Sequence, residues 1–424
     1  LVIILADLLS VDEALKRILT QLSPLPAEFI PLVAGYGRIL AQDLSATVSL
    51  PPFANSSMDG YAVRAEDIST ATTDTPVSLT VVMDIPAGVF PQGTLKTGEA
   101  ARIMTGAPIP QGATAIIPVE NTDGGWDKTT PSALNTSVKI FRAVKSGDYI
   151  RPIGEDIQAG EIIAQKGDIL RPQEIGVCAS LGMATIPVFR RPRIVILSNG
   201  DELAELGQPL AQGQIYDSNR YTLAGLILAC DAEPILLPTA KDTPESIRAL
   251  FAEALALKPD MLISTAGVSV GAADFIRDIL AELGAVDFWR INIRPGKPLA
   301  FGHIAGIPFF GLPGNPVSAM VTFEVFVRPA IYHMLGKPLP IATINARLSH
   351  TINSDGRESY LRVFLEKTGD GTWSATLTGT QTSSALISMA KADGLLILPS
   401  GTMTAHEGEF YRVRLLKSAL LYSN

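Results

Sequence analysis

The sequence predicts a multidomain chain of class α/β plus β. Its centre is an α/β domain with a mainly parallel sheet, accompanied by a β-rich inserted segment and a small all-β tail. Three observations predict this. From Arg190 onward, apolar strand-like runs (RIVILS, EPILLP, MLIST, VDFWRI, LAFGHI, PFFGLP) alternate with helical stretches, the pattern of βαβ units. From about Asn55 to Val144, and again after Lys337, the text is short strands and turns. At 424 residues, the chain exceeds what one hydrophobic core holds together, so it divides into domains.

The elements follow in order. The opening LVIILADLL contains Asp7 and lacks a basic leader and a small-residue cleavage site, so it reads as helix lead-in or strand, not as a signal peptide. Residues Val11 to Thr20 have helical spacing, with Ser10 as N-cap and Glu13 at the capping-box position. Prolines 24, 26, 51 and 52 mark turns. VSLTVVMDI, EAARIMTGAP and TAIIPVENT read as strands, and TDGGWDKTTPSALNTS as a long hairpin connection. The stretch GEDIQAGEIIAQKGDILRPQEIGVCASLG resumes the style of residues 11–50, so the β segment reads as an insertion into a first domain. Farther on, DSNRYTLAGLILAC reads as a helix. Thr243 caps another, with Pro244 in its first turn, that runs to about Leu257. FIRDILAEL is a helix ended by Gly284. The helix after PGNP is apolar nearly all round, hence buried.

Composition excludes several function classes. A net charge of −8 argues against nucleic acid or an anionic membrane as the main partner, and leaves any anionic substrate to a local cationic pocket. No run approaches the ~20 apolar residues of a membrane span. Cys178 and Cys230 form neither a disulfide framework nor a CxxC pair, which fits a reducing, cytoplasmic setting. His303, His333, His350 and His406 are scattered and do not fit a zinc site of the usual spacing.

The chemistry-bearing residues gather at strand ends between Met261 and Ala319. Their turns carry Ser264, Thr265, Ser269, Asp274, Arg294, Lys297 and Asn315. In an open α/β sheet, loops at the carboxyl ends of parallel strands form the ligand crevice, and glycine-rich backbone there makes an anion nest. LPGNP places Asn315 as N-cap and Pro316 in the first turn, which reads either as an oxyanion seat or as plain capping. TAGVSVGAAD, Thr265 to Asp274, combines mobile backbone, hydroxyls and an acid, or is a loop with a capping Asp. Arg294 and Lys297 flank a Pro-Gly turn and offer a planar fork and a point charge to phosphate. Asp201, Glu202, Asp217 and Asp242 stand at other strand ends, where they suit a hard divalent cation such as Mg²⁺ or simply cap helices.

Taken together, PPFANSSMDGYAV, RIMTGAPIP, GEDI, RIVILSNGDEL, IYDSN, GVSVGAADF, IRPGKPLAFG, LPGNPVSA and QTSSALISMAKADGLLILP occur in one order. That order resembles the molybdopterin molybdenumtransferase family, relatives of the gephyrin E domain, over nearly the whole chain. The resemblance implies four domains: a split domain I (1–50 and 146–189), an inserted β-rich domain II (51–145), a three-layer α/β molybdopterin-binding domain III (190–338) and a β-barrel domain IV (339–424). It implies a cytoplasmic homodimer whose site lies between domain III of one subunit and domain II of the other. It also implies insertion of molybdenum from molybdate into adenylylated molybdopterin with release of AMP, assisted by Mg²⁺. Molybdopterin adenylyltransferase and molybdoenzyme maturation proteins are the implied neighbours in that pathway.

By matching positions, the resemblance assigns catalysis to Asp59, Thr105, Asp156, Glu202, Asp242, Asp274 and Lys297. Substrate binding falls to Ser269, Arg290, Arg294, Pro313, Asn315, Pro316, Ser318 and Ser383, and metal binding to Glu202, Asp242 and Asp274. The chain departs from the pattern at Arg290 and Arg294, where lysine is common, at Asn199, where threonine is usual, and at Ala266, in place of a glycine. Competing readings are a nucleotide or pyrophosphate hydrolase and the shorter adenylyltransferase, both sharing the α/β domain, and a gephyrin-like scaffold that binds a partner peptide. The hydrolases lack the MDGY and TGAP lobe.

Overall fold

The computed structural model describes residues 8–124, 136–265, 274–337 and 342–417; the side chains of residues 274–278 and of Phe288 lie outside this set. Most of LVIILADLL and most of the expected hairpin connection therefore fall outside the described residues.

Helix α1 (Val11–Leu19) begins where the spacing predicts. The Glu13 N–H donates to the Ser10 hydroxyl at 3.2 Å, while the Glu13 carboxylate turns to Arg17 at 2.8 Å. Its buried face, Val11, Ala14 and Ile18, joins the core of the central α/β unit. Next, Ala27–Pro31 pairs antiparallel with Thr185–Phe189, and Leu44–Ser45 with Ile162–Ala164. Chain on either side of the lobe thus returns to one small core built on Ile30, Leu40, Leu170, Ile186 and Val188.

The lobe is a five-stranded sheet of β1 (Gly60–Val63), β2 (Val77–Ile85), β3 (Glu99–Ile103), β4 (Ala115–Pro118) and β5 (Ser137–Ile140), in the order β4-β1-β3-β2-β5. Alternation along β1 sends Tyr61 and Val63 to one apolar cluster and Ala62 to another, so both faces are covered.

The central sheet comprises β6 (Arg193–Leu197), β7 (Glu233–Leu236), β8 (Met261–Ser264), β9 (Gly284–Arg290), then, beyond the short β10 (Ile293–Arg294), β11 (Pro298–Ile304) and β12 (Ile307–Gly311). The order is β7-β6-β8-β12-β11-β9, and only β11 runs against the rest. Period two explains the three layers: Ile194 and Ile196 of β6 face one cluster, Val195 and Leu197 the other. The first cluster takes α2 (Ser218–Leu228) through Leu223 and Ile227; the second takes α3 (Pro244–Ala256) and α4 (Asp274–Leu283). Thr243 caps α3 through the Ser246 N–H at 3.2 Å. The apolar helix after PGNP is buried and runs as α5 (Pro316–Thr322), a π-helical turn (Phe323–Val327) and α6 (Arg328–Met334).

The tail closes into a barrel of β13 (Thr343–Leu348), β14 (Glu358–Lys367), β15 (Trp373–Leu377), β16 (Gly394–Leu398) and β17 (Phe410–Leu415). Pairing runs β14-β15-β13-β17-β16 and returns from β16 to β14. Two ties fix it to the α/β unit. β10 adds to β14 in parallel, Arg294 opposite Ser359, and Arg414 Nη1 donates to the Glu324 carbonyl in the π turn at 2.6 Å.

Candidate active site

Because five strands point the same way, their carboxyl ends meet along one edge. Leu197, Ser264 and Gly311 are in register there, and Arg290 opposes Pro298. The loops leaving this edge are the chemistry-bearing ones: SNGDEL after β6, the Asp242 turn after β7, LPGNP after β12 and the RPGKP turn between β9 and β11. Three strand spacings separate β6 from β11, a span of ~14 Å along the edge. That is room for an extended, nucleotide-sized ligand.

The loops are tied to one another. Leu312 N–H donates to the Ser264 carbonyl at 2.7 Å, and Thr265 N–H to the Leu197 carbonyl at 3.1 Å. Asn219, just after the buried capping Asp217, donates to the Gly314 carbonyl at 2.7 Å. Gly296 has φ +107°, and a Cβ there would lie 2.5 Å from Thr322 Cγ2. Only glycine lets the RPGKP turn rest on α5.

Acids hold one end of this edge. Asp201, Glu202 and Asp242 are exposed, and none forms an ion pair among the described residues. Asn199 Nδ2 donates to Asp242 Oδ1 at 2.7 Å, and Asp242 N–H to Asp201 Oδ1 at 3.3 Å.

Cations hold the other end. Lys297 and Arg290 have no ion pair among the described residues. Arg294 stands 3.7 Å from Asp355, which also binds Arg357. Burial raises the Asp355 carboxyl, but Arg357 and Arg294 together outweigh it and hold the group below the ordinary carboxylate range. Beside them, Arg362 of β14 is fully buried with no carboxylate partner among the described residues. Its guanidinium donates instead to the Thr380 and Thr382 carbonyls at 3.1 and 3.0 Å and to the Ser388 hydroxyl at 3.1 Å. Burial, and then the charge of Arg294, push it down to about 10.

LPGNP lies between the two ends. Pro313 and Ser318 are buried and Asn315 is exposed. Asn315 is the N-cap of α5 but makes no side-chain capping bond. Pro316 has no N–H, and the Val317 N–H is taken by the Ser383 carbonyl at 3.0 Å. This helix end therefore serves first to dock the tail loop carrying Ser383.

Other expected site residues lie elsewhere. Asp59 and Thr105 join each other in the lobe, where the Asp59 Oδ1 accepts the Thr105 N–H at 2.7 Å and its hydroxyl at 2.8 Å. Neither bonds to the α/β unit among the described residues. Asp156 is exposed where GEDI pairs with Leu50, its N–H donating to the Leu50 carbonyl at 3.0 Å. Ala266 and Ser269 lie outside the described residues; Asp274 opens α4, but its side chain lies outside them. Among the described residues, no three His, Cys, Asp or Glu side chains gather as a preformed metal site.

Comparison with known proteins places this arrangement. Three family profiles match in sequence order: the MoeA N-terminal region (domain I and II) over residues 9–182, a probable molybdopterin binding domain over 195–333, and the MoeA C-terminal region (domain IV) over 345–416. Molybdopterin molybdenumtransferase 2 of Mycobacterium tuberculosis is 40% identical over 387 residues, 89% of this chain and 92% of that one. The chain belongs to the molybdopterin molybdenumtransferase, or MoeA, family. A MoeA-family relative from Nostoc, named molybdopterin molybdenumtransferase, is 39% identical over 390 residues, 90% of this chain and 87% of its own. A molybdopterin biosynthesis MoeA protein from Pyrococcus horikosii superposes with a TM-score of 0.82 at 33% identity, covering 97% of this chain and 100% of that one. The fold class expected from sequence is thereby borne out, closed barrel included.

Sequence reasoning does not single out Arg362. In ESYLRVFLEK it reads as a cation on the solvent side of an alternating strand. Leu361, Val363 and Leu365 do face the barrel core, but on the opposite face Tyr360 joins the core of the α/β unit and Arg362 lies under the 380–388 loop, while Phe364 is exposed. The available signal is a lone arginine whose strand neighbours on the same face, Tyr360 and Phe364, are aromatic.

Proposed function

We propose that this chain inserts molybdenum from molybdate into molybdopterin supplied in adenylylated form, releasing AMP, as the names of its relatives imply. The observation that carries this reading is Arg362. A buried guanidinium without a carboxylate is costly until an anion arrives. Molybdate, a small tetrahedral dianion, would be drawn to the two guanidinium charges of Arg294 and Arg362, next to the loop that carries Ser383. Lys297 and Arg290 would then face the phosphate oxygens of the pterin substrate, where Lys297 would offset charge that grows as an oxygen of molybdate or water bonds to phosphorus and the phosphoanhydride P–O bond breaks, AMP leaving. Pro313, Asn315, Pro316 and Ser318 shape the turn between the two substrates, and Ser269 belongs to the neighbouring loop.

The acid end fits Mg²⁺ by its donor chemistry. Its groups are oxygen-only, exposed and unpaired, and Mg²⁺ is held through one or two carboxylates completed by water and substrate phosphate. Glu202 and Asp242, with Asp274 by family position, would hold it. There it would supply charge neutralisation on the pyrophosphate oxygens.

Asp59 and Thr105 form a ready pair with no bond to the α/β unit among the described residues. We assign them to the crevice of a second copy, so that the active form is a homodimer; sedimentation as a 45.0 kDa monomer under assay conditions would remove that assignment. Asp156, where the lobe joins the split domain, would set the lobe's angle. No helix among the described residues is long and apolar enough to cross a membrane. Both cysteines are free and buried, which supports a cytoplasmic setting; recovery of the protein in an oxidising compartment would contradict it.

The deciding experiment measures AMP release from adenylylated molybdopterin and Mg²⁺, with and without molybdate. Molybdate-dependent release that is lost in Asp274→Asn is expected. Release regardless of molybdate would make the protein a pyrophosphatase, and tight pterin binding without release would make it a carrier.

A further inference from the structure

The loops after β6 and β7 are joined beyond ordinary sheet pairing. Ala240 N–H donates to the Ser198 carbonyl at 2.9 Å, and Gly200 N–H donates back to the Ala240 carbonyl at 3.1 Å. This makes a parallel bridge between Asn199 and Ala240. At Gly200 the backbone has φ +153°, and a Cβ would lie 2.6 Å from Glu202 Oε2. The Glu202 carboxylate is thus folded back beside the same bridge. On that platform Asn199 Nδ2 reaches Asp242 Oδ1 at 2.7 Å.

We propose that Asn199 is a positioning residue for Asp242, holding one carboxylate oxygen so that the other is presented to the divalent cation. The reasoning rests on the reading above, in which Asp242 helps hold Mg²⁺. Asp201, Glu202 and Asp242 carry like charges on two short loops, and a free Asp242 would rotate away from its neighbours. A lysine in place of Asn199 would fix the carboxylate but neutralise it. A carboxamide donates without adding charge and occupies one oxygen only, leaving Oδ2 without a hydrogen bond among the described residues. The amide reaches across the gap between the two strand ends, linking the Asp242 loop to the Asp201–Glu202 loop through side chains as well as backbone. Groups that orient a metal ligand typically control about 10- to 100-fold of metal affinity.

The test uses Mn²⁺ as a spectroscopic substitute for Mg²⁺, titrated into the full chain in the presence of AMP, with free Mn²⁺ followed by EPR. Asn199→Leu is expected to weaken Mn²⁺ binding about 10-fold with no change in far-UV circular dichroism. Asn199→Ser, too short to reach Asp242, is expected to give the same loss and serves if the leucine variant misfolds. In an Asp242→Asn background the Asn199 change should add nothing, because a positioning residue acts only through the group it positions. Parent-like binding by Asn199→Leu alongside weakened binding by Asp242→Asn overturns the role of Asn199. So does an equal effect of Asn199→Leu in both backgrounds. Parent-like binding by Asp242→Asn instead overturns the metal reading on which the inference rests.

Discussion

The two ends of the crevice reach opposite charges by opposite means. At the acid end, Asp201, Glu202 and Asp242 are exposed; Asp201 and Asp242 are held by neutral donors, a backbone N–H and the Asn199 amide. At the cation end, Arg362 is fully buried and held by carbonyls and a hydroxyl, with Arg294 partly covered near it and Lys297 partly covered in the same turn as Arg294. An exposed carboxylate keeps its hydration, so leaving it unpaired costs little. A buried guanidinium has lost its hydration and here has only neutral acceptors in its place, so its charge stays without a counter-ion among the described residues. The difference teaches that, under the proposed function, the cation end would recognise a substrate by itself, whereas the acid end would be completed by what the substrate brings.

Removing the buried charge breaks the comparison most sharply. Arg362→Met keeps much of the volume and deletes the charge; it should lower kcat/KM for molybdate by about 100- to 1,000-fold, as loss of an oxyanion donor does. Arg362→Lys keeps the charge without the planar fork and should fall between. The sign of the pH effect agrees. The folded-state pKa, about 10, lies below the ordinary arginine value, so the unfolded chain binds more protons above pH 10. The burial penalty is therefore full at neutral pH and is relieved only as pH rises through about 10. At neutral pH, molybdate should raise the melting temperature of the parent but not of Arg362→Met. An unchanged molybdate dependence of AMP release in the methionine variant would refute the preformed seat.

A smaller loss should follow from disturbing the turn that carries Lys297 rather than any charge. Gly296→Ala places a Cβ at positive φ and 2.5 Å from Thr322 Cγ2, so the turn must lift off α5. A displacement near 1 Å at a site residue costs up to about 100-fold in rate. Adding Thr322→Ser removes the clashing methyl while keeping the hydroxyl that bonds the Ser318 carbonyl at 2.8 Å. That double variant should recover part of the loss, limited by the strain of φ at residue 296. Steady-state rates of the two variants decide it, and no recovery would place the fault in φ alone.

How much of this was legible in the sequence follows from which physics each feature obeys. The α/β core was readable because buried strands are short apolar runs and their helices carry caps: Ser10, Asp217 and Thr243 each accept the expected first-turn N–H. The crevice loops were readable because glycine, proline and hydroxyl residues cluster where the backbone turns at strand ends. Arg362 was not readable, because period two tells which residues share a face, not what covers that face. Here the covering comes from the 380–388 loop of the same tail, distant in sequence, and from the α/β unit, through β10 against β14. The docking of the Ser383 carbonyl on Val317 was equally hidden, since it joins loops far apart in sequence by backbone alone.

The smallest expected effect lies at the rim of the cation end. Arg294 and Asp355 stand 3.7 Å apart with side chains 44% and 40% exposed, so water and salt screen them strongly. Asp355→Asn should change stability by less than about 1 kcal/mol. It also removes one negative charge beside the proposed seat for the dianion, so the Kd for molybdate should fall by about two- to three-fold at low ionic strength. The gain should vanish at about 1 M salt, where the screening length is only ~3 Å. For Arg362 the order should reverse: an anion that met it would do so away from solvent, and its contribution should persist in salt. Molybdate titrations of both variants across ionic strength therefore separate a rim charge from a buried one. Equal salt sensitivity would mean that Arg362 meets its anion in water, and the distinction between the two ends would fail.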